Sequence, residues 1–279
     1  MDDRCSLDKP ELVWRGREPV ASSRSVAEER PVALTFNGST YAVMMASPAD
    51  LLDFGIGFCL NEGLVETARD ILSIETVDLA LGCEVRIWLA EAHAERLAKR
   101  RRAMAGPVGC GLCGIESLEQ ACPPPARVAA PVKFRPGDIL RAMGALRPLQ
   151  RHHQATGAMH AAAFWDGNAI RMVREDVGRH NALDKLAGAI ARAGLTTSRG
   201  AVLMTSRVSV ELVQKAARIG VPLLVAVSAP TSLAIETAER AGLTLIGIAR
   251  DDGYEIFSHA GRLKFEATEP RAELERLAR

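Results

Sequence analysis

The chain has 279 residues, 48% of them hydrophobic, enough for one large or two modest cores without help from disulfides. Its 35 Lys and Arg against 34 Asp and Glu leave a net charge of +1, so no global field recruits nucleic acid or an anionic membrane, and binding must come from a local site. The charged start MDDRCSLDKPELVWRGREP lacks the apolar core of a signal peptide, and no run approaches the roughly 20 apolar residues of a membrane span, so a cytoplasmic protein is expected.

Residues 1–18 are read as a flexible N-terminus, with Cys5 in a frayed end, and 19–105 as an α+β domain. Val32–Phe36 and Thr40–Met45 flank Asn37-Gly38, a strong hairpin signal because both residues accept the positive φ of a tight turn. Ser47-Pro48-Ala49-Asp50 reads as a helix start with a capping serine and a proline at the first helical position, and the helix should end near Gly63. A second hairpin is expected over 74–80 and 83–90, followed by a charged helix over 91–102. Glycine, proline and cysteine punctuate 106–130, which reads as a mobile linker. Beyond it, 131–265 should form an α/β domain: a helix over 136–146, strands over 158–165 and 169–174, a helix over 180–193, then short apolar strands at 201–205, 223–227 and 243–249 alternating with helices at 208–219 and 231–241. That order predicts a largely parallel sheet with helices on both faces. Residues 266–279 are read as a helical tail.

The linker holds Cys110 and Cys113 among four glycines, a setting that leaves the sulfurs accessible. Paired thiols in a reducing compartment point to redox, metal or sulfur-transfer chemistry rather than to a structural disulfide. Three readings follow. His93-Ala94-Glu95 before Cys110 and Cys113 imitates the HxE…PCxxC zinc signature of nucleobase deaminases, but Gly109 replaces the proline and His93 sits in a charged helix. A thioredoxin-type dithiol should follow a strand, and here a helix precedes it. In the third, one cysteine carries sulfane sulfur as a persulfide and the other helps release it.

In a sheet of this kind, loops leaving the carboxyl ends of the strands line one crevice. Asp176, Arg179, His180, Asn181 and Lys185, then Ser206 and Arg207, then Ser228 and Thr231 map there. The cations and the helix start after Ser228 suit a phosphorylated ligand; the rival reading is capping and local ion pairing. His160, at a strand start, needs a buried partner and is placed on the crevice, whereas His152 and His153 read as a surface loop.

Four segments together resemble the FdhD/NarQ family, the formate dehydrogenase accessory sulfurtransferases. They are Gly109-Cys110-Gly111-Leu112-Cys113-Gly114, Thr156-Gly157-Ala158-Met159-His160-Ala161-Ala162, the block from Arg174 to Lys185 (REDVGRHNALDK), and Ser228-Ala229-Pro230-Thr231-Ser232. The resemblance implies a homodimer that takes sulfur from a cysteine desulfurase and passes it to bis-molybdopterin guanine dinucleotide, the molybdenum cofactor, before insertion into formate dehydrogenase. It implies a cytidine-deaminase-like, three-layer αβα fold for the second domain, Cys110 as the persulfide carrier and Cys113 as its partner. It also implies cofactor contacts along Ile248, Ala249, Arg250, Asp251, Asp252 and Gly253, where a guanine nucleotide could bind in the cofactor's place. No resident metal is expected. The alternatives are a cofactor-binding chaperone without sulfur chemistry and a zinc-dependent deaminase-like hydrolase.

Overall fold

A computed structural model describes residues 5–93, 97 and 124–265. Cys110, Cys113, Cys122, Glu95, most of the expected charged helix and the expected tail over 266–279 lie outside the described residues. Of the charged helix, the described part is a 3₁₀ turn, Glu91–His93, and the helical residue Leu97.

The segment expected to be flexible instead carries a strand. β1 (Ser6–Val13) pairs antiparallel with β2 (Val20–Ala27), and Cys5 is buried beside Ala49 and Met159. The polar, proline-containing sequence SLDKPELV lacks the alternation that marks a strand buried on one face, because both faces of this ribbon are largely exposed.

β3 (Arg30–Phe36), β4 (Ser39–Ala46), β5 (Ile71–Leu79) and β6 (Gly82–Leu89) form a four-stranded sheet in the order β4-β3-β6-β5. Asn37 and Gly38, at φ 47° and 79°, make the expected turn between β3 and β4. One face is covered by α1 (Leu51–Asn61), whose Phe54 and Phe58 pack with Phe36, Val85 and Ile87. The helix begins later than the sequence suggests. Asp50, at φ 55°, precedes it without a side-chain cap, and Ser47 is engaged elsewhere.

The second unit contains α2 (Pro136–Leu146), α3 (Arg151–Thr156), β7 (His160–Trp165), β8 (Ile170–Asp176), α4 (Arg179–Ala193), β9 (Ala201–Met204), α5 (Val210–Ile219), β10 (Leu223–Ala226), α6 (Ser232–Ala241), β11 (Thr244–Arg250) and β12 (Gly253–Ser258). Its six-stranded sheet runs β12-β11-β10-β9-β7-β8. Parallel pairing is confined to β9, β10 and β11; β7 pairs antiparallel with β8 and β9, and β12 with β11. The expectation of a largely parallel sheet is thereby corrected to a mixed one, because short turns join β7 to β8 and β11 to β12 and so force antiparallel pairing. Alternate residues feed opposite layers. Phe164, Val202, Leu224 and Leu245 face a core shared with α4, α5 and α6, while Trp165, Leu203, Val225 and Ile246 face α2.

The units are joined through buried charge. Lys185 and Asp176, both fully buried, form an ion pair at 2.7 Å. The Ser47 N–H donates to Asp176 Oδ2 at 3.0 Å, and Lys185 Nζ donates to the Ser47 carbonyl at 3.0 Å. Asn181 Nδ2 donates to the Met45 carbonyl at 2.9 Å, and Asn61 Nδ2 to Asp184 at 2.7 Å. Asp53 on α1 accepts from Arg174 and Arg192 at 2.7 and 2.6 Å. Helices α1 and α4 cross in close contact, because a β-carbon at Gly57 or Gly188 would overlap the facing main chain of Asp184 or Asp53.

Removing one member of the Lys185–Asp176 pair strands a buried charge. Lys185→Met is expected to cost about 3–5 kcal/mol in urea denaturation, with the double variant Lys185→Met/Asp176→Asn recovering part of it. A single variant within about 0.5 kcal/mol of wild type contradicts this account of the joint.

Candidate functional site

The site is a consequence of strand direction. His160 pairs with Asp176, and Ala162 with Met204, so the start of β7 and the end of β8 lie at the same edge of the sheet as the carboxyl ends of β9, β10 and β11. The structure therefore gathers the segments around His160, Arg179 and His180, Ser206 and Arg207, Ser228 to Thr231, and Ile248 to Gly253 along one end.

Within that group the roles divide. Asp176, Asn181 and Lys185 are consumed by the joint: besides Lys185 and Ser47, Asp176 accepts from the Gly178 N–H at 2.7 Å and from Asn181 Nδ2 at 3.0 Å. Ala249 packs in the core with Ile246 and Leu263. Ser206 is buried and donates to the Arg207 carbonyl at 2.9 Å. Ile248, at φ 52° in a register shift of β11 against β12, donates its N–H to the Ser228 carbonyl at 3.3 Å and ties two loops together. Thr231 caps α6, accepting from the Ala234 N–H at 3.3 Å, so the capping reading applies to it. Arg250, Asp251 and Asp252 are exposed at the β11–β12 turn, which Gly253 closes opposite Arg250.

The surfaces left for a ligand are cationic or rich in free donors. Helix α4 starts at Gly178 with no side-chain cap and no acidic residue in its first turn. Arg179 Nε is buried and has no hydrogen-bond partner among the described residues, while Arg207 is exposed. Two imidazoles flank this guanidinium. Burial, then Arg179 and His153, hold His160 below the ordinary histidine range. Burial, then Lys215 and Arg179, push His180 down to about 4. Both rings are thus neutral at pH 7, and positive charge at this helix start rests on Arg179.

Sequence reasoning did not single out Ser47, Asp53 or Glu175 as positioning groups. Glu175, buried at the end of β8, accepts from the main-chain N–H groups of His152 and His153 at 2.9 and 2.8 Å and so starts α3, a short helix where a surface loop was expected. Ser209 Oγ, before α5, and the Tyr254 hydroxyl on β12 are buried without partners among the described residues. No local pattern marks either. His93 lies in its 3₁₀ turn; the other members of the zinc signature fall outside the described residues.

Fold and site together define a two-unit mixed α/β protein whose larger sheet gathers cationic and polar loops at one end. The model of the FdhD/NarQ family matches residues 27–264. A curated relative from Agrobacterium fabrum, named sulfur carrier protein FdhD, is 51% identical over 249 residues, covering 88% of this chain and 91% of its own. A relative of the same name from Cupriavidus necator is 50% identical over 257 residues, covering 91% of this chain and 89% of its own. The chain belongs to the FdhD/NarQ family. A crystal structure from Desulfotalea psychrophila, of a protein named as a formate dehydrogenase accessory protein, shares the fold with a TM-score of 0.75 at 24% identity, covering 93% of this chain and all of that one. Among the described residues no helix is long and apolar enough to cross a membrane.

His180 supplies a test of this electrostatic account. Between pH 6.5, its ordinary value, and about 4, the unfolded chain binds a proton at this ring that the folded chain does not, so acidification through that window removes stability. Unfolding free energy measured against pH should fall less steeply there in His180→Asn than in wild type. Parallel profiles would contradict the assigned burial.

Proposed function

We propose that this protein is a sulfur carrier that takes sulfane sulfur from a cysteine desulfurase as a persulfide on Cys110 and delivers it to bis-molybdopterin guanine dinucleotide before insertion into formate dehydrogenase. The observation that carries the reading is the name shared by relatives about half identical over most of both chains, in a chain that itself contains Cys110-Gly111-Leu112-Cys113. Cytoplasmic residence and a homodimeric working form belong to the same reading. So does kinship of the second unit with the cytidine-deaminase-like architecture, which the helix–sheet–helix layering supports.

The chemistry balances simply. The Cys110 thiolate attacks the outer sulfur of the donor's persulfide; a new S–S bond forms on Cys110 and the donor cysteine leaves as a thiolate. Attack of the Cys113 thiolate on the Cys110 sulfur then expels hydrosulfide and leaves a disulfide, which an external thiol must reduce for the next cycle.

The described residues fit the proposed acceptor, a polyphosphate anion, as substrate. Arg179, with its unpartnered Nε, and Arg207 meet phosphate charge, helped by the uncapped start of α4. The exposed carboxylates of Asp251 and Asp252 do not suit phosphate; they suit the N–H and amino donors along a guanine edge. Neutral His160 and His180 offer hydrogen bonds without adding charge.

Incubation of the purified protein with a cysteine desulfurase and cysteine should add one sulfur, about 32 Da by intact mass, that reductant removes. The gain should vanish in Cys110→Ala and persist in Cys113→Ala. A protein that never gains sulfur, or keeps it with both loop cysteines replaced, would favour the cofactor-binding chaperone instead.

A further inference from the structure

Charge is spread unevenly along the chain. Residues 126–165 hold six Lys and Arg against a single acidic residue, Asp138, in a chain of net charge +1, so the remainder carries an excess of acid. Five of the six, Lys133, Arg135, Arg141, Arg147 and Arg151, are exposed on or beside α2, the 3₁₀ turn Arg147–Leu149 and the start of α3. Asp138 is taken by Arg141, and Lys133 donates to the Gly261 carbonyl. Arg135, Arg147 and Arg151 make no ion pair among the described residues.

The apolar side of α2 sets which side faces out. Ile139, Ala142, Met143 and Leu146 are buried against the sheet, which turns Gly137, Arg141, Gly144 and Ala145 to solvent. Phe134, just before α2, pairs with Leu263 beyond the end of β12, whereas α3 leads into His160 at the start of β7. The helix therefore climbs from the far end of the sheet to the crevice end. Two features of its exposed side have no use inside the chain. A β-carbon at Gly144 would meet nothing within 4 Å, yet glycine weakens a helix interior relative to alanine. Leu149 is 41% exposed beside exposed Pro148. A bare main chain and a leucine bordered by arginines have the composition of a contact surface, with a closely approachable centre and a cationic rim.

Charge and extent select the occupant. Arg135 and Arg147 flank α2 at opposite ends, ~18 Å apart at ~1.5 Å per residue, too far for one phosphate group to bridge. A second copy seated across a two-fold axis would oppose like charges, and a nucleic acid or anionic membrane extending past this face would meet the acidic remainder of the chain. We propose that α2 and the turn after it dock an acidic surface of the protein that takes the bound cofactor from the crevice, which on the reading above is formate dehydrogenase. This inference rests on that reading. Arg147 and Arg151 stand at the crevice end, so a protein seated here meets the edge of the site from which the anion departs. A face of this length suits a transient encounter, below ~1,200 Å² of buried surface, in which opposite charge raises the association rate more than it prolongs the complex.

The test uses the full chain and purified formate dehydrogenase lacking its cofactor, with binding followed by surface plasmon resonance. Arg135→Glu/Arg147→Glu reverses two charges that hold nothing within the chain. Its Kd should rise about tenfold or more, mainly through slower association, and association of the wild type should slow with added salt. Arg15→Glu/Arg17→Glu makes the same change of charge on the exposed turn between β1 and β2 and should bind as wild type does. Affinity for guanosine diphosphate, the gain of sulfur from the desulfurase and the thermal midpoint should be unchanged in both variants, which separates docking from ligand binding, sulfur chemistry and fold. A wild type that does not bind the dehydrogenase overturns the client named above together with this face, while the sulfur gain still reports on the carrier role. Binding indifferent to Arg135→Glu/Arg147→Glu, or weakened equally by both pairs of substitutions, keeps the client and overturns this face. Loss of guanosine diphosphate affinity in Arg135→Glu/Arg147→Glu assigns the face to the ligand and overturns the docking role.

Discussion

The peptide unit of Ser47 is the point on which the two halves of the molecule are set. Its N–H reaches Asp176 and its carbonyl is met by Lys185, beside an ion pair fully buried from bulk solvent. Two opposite charges taken out of water are stable together only if the remaining donors and acceptors are satisfied, and a main chain from the first unit supplies part of that satisfaction. The second unit therefore completes its buried charge with the first in place. The glycines at 57 and 188 let α1 and α4 approach closely enough for the contact to form.

In the proposed function the same short block serves both architecture and ligand. From Asp176 to Lys185 the chain leaves β8, turns at Gly178 and enters α4; Asp176, Asn181 and Lys185 point into the joint, and Arg179 is left at the helix start. Fixing the first set fixes the second. A guanidinium held in place by its own helix binds an anion without first losing freedom, and the neutral imidazoles beside it leave its charge undiluted by a counterion.

Much of this was legible in the residues. Asn37-Gly38 announced its hairpin because only a positive-φ turn uses that pair so readily, and the apolar runs of β9, β10 and β11 were clear because both faces of those strands are buried. The gathering of these loops at one end of the sheet followed from strand order. What could not be read was long-range: Ser47 looks like a cap in sequence, and its partners lie 129 and 138 residues away. β1 and β2 were hidden because a ribbon exposed on both faces has no hydrophobic period, and β12 because GYEIFS follows its partner after only a tight turn. Ala249 shows the limit of a motif, which marks a segment and not the direction of each side chain.

The central claim is that cofactor binding belongs to the sheet-end crevice and sulfur chemistry to the cysteines, with Arg179 as the principal anion contact. Calorimetric titration of guanosine diphosphate into wild type, Arg179→Gln and Cys110→Ala tests it most directly. The account predicts unchanged affinity in Cys110→Ala and at least a tenfold loss in Arg179→Gln, about 1.4 kcal/mol or more, with the thermal midpoint of both variants near that of wild type. Equal affinity in Arg179→Gln and wild type, or loss of binding in Cys110→Ala, would contradict it.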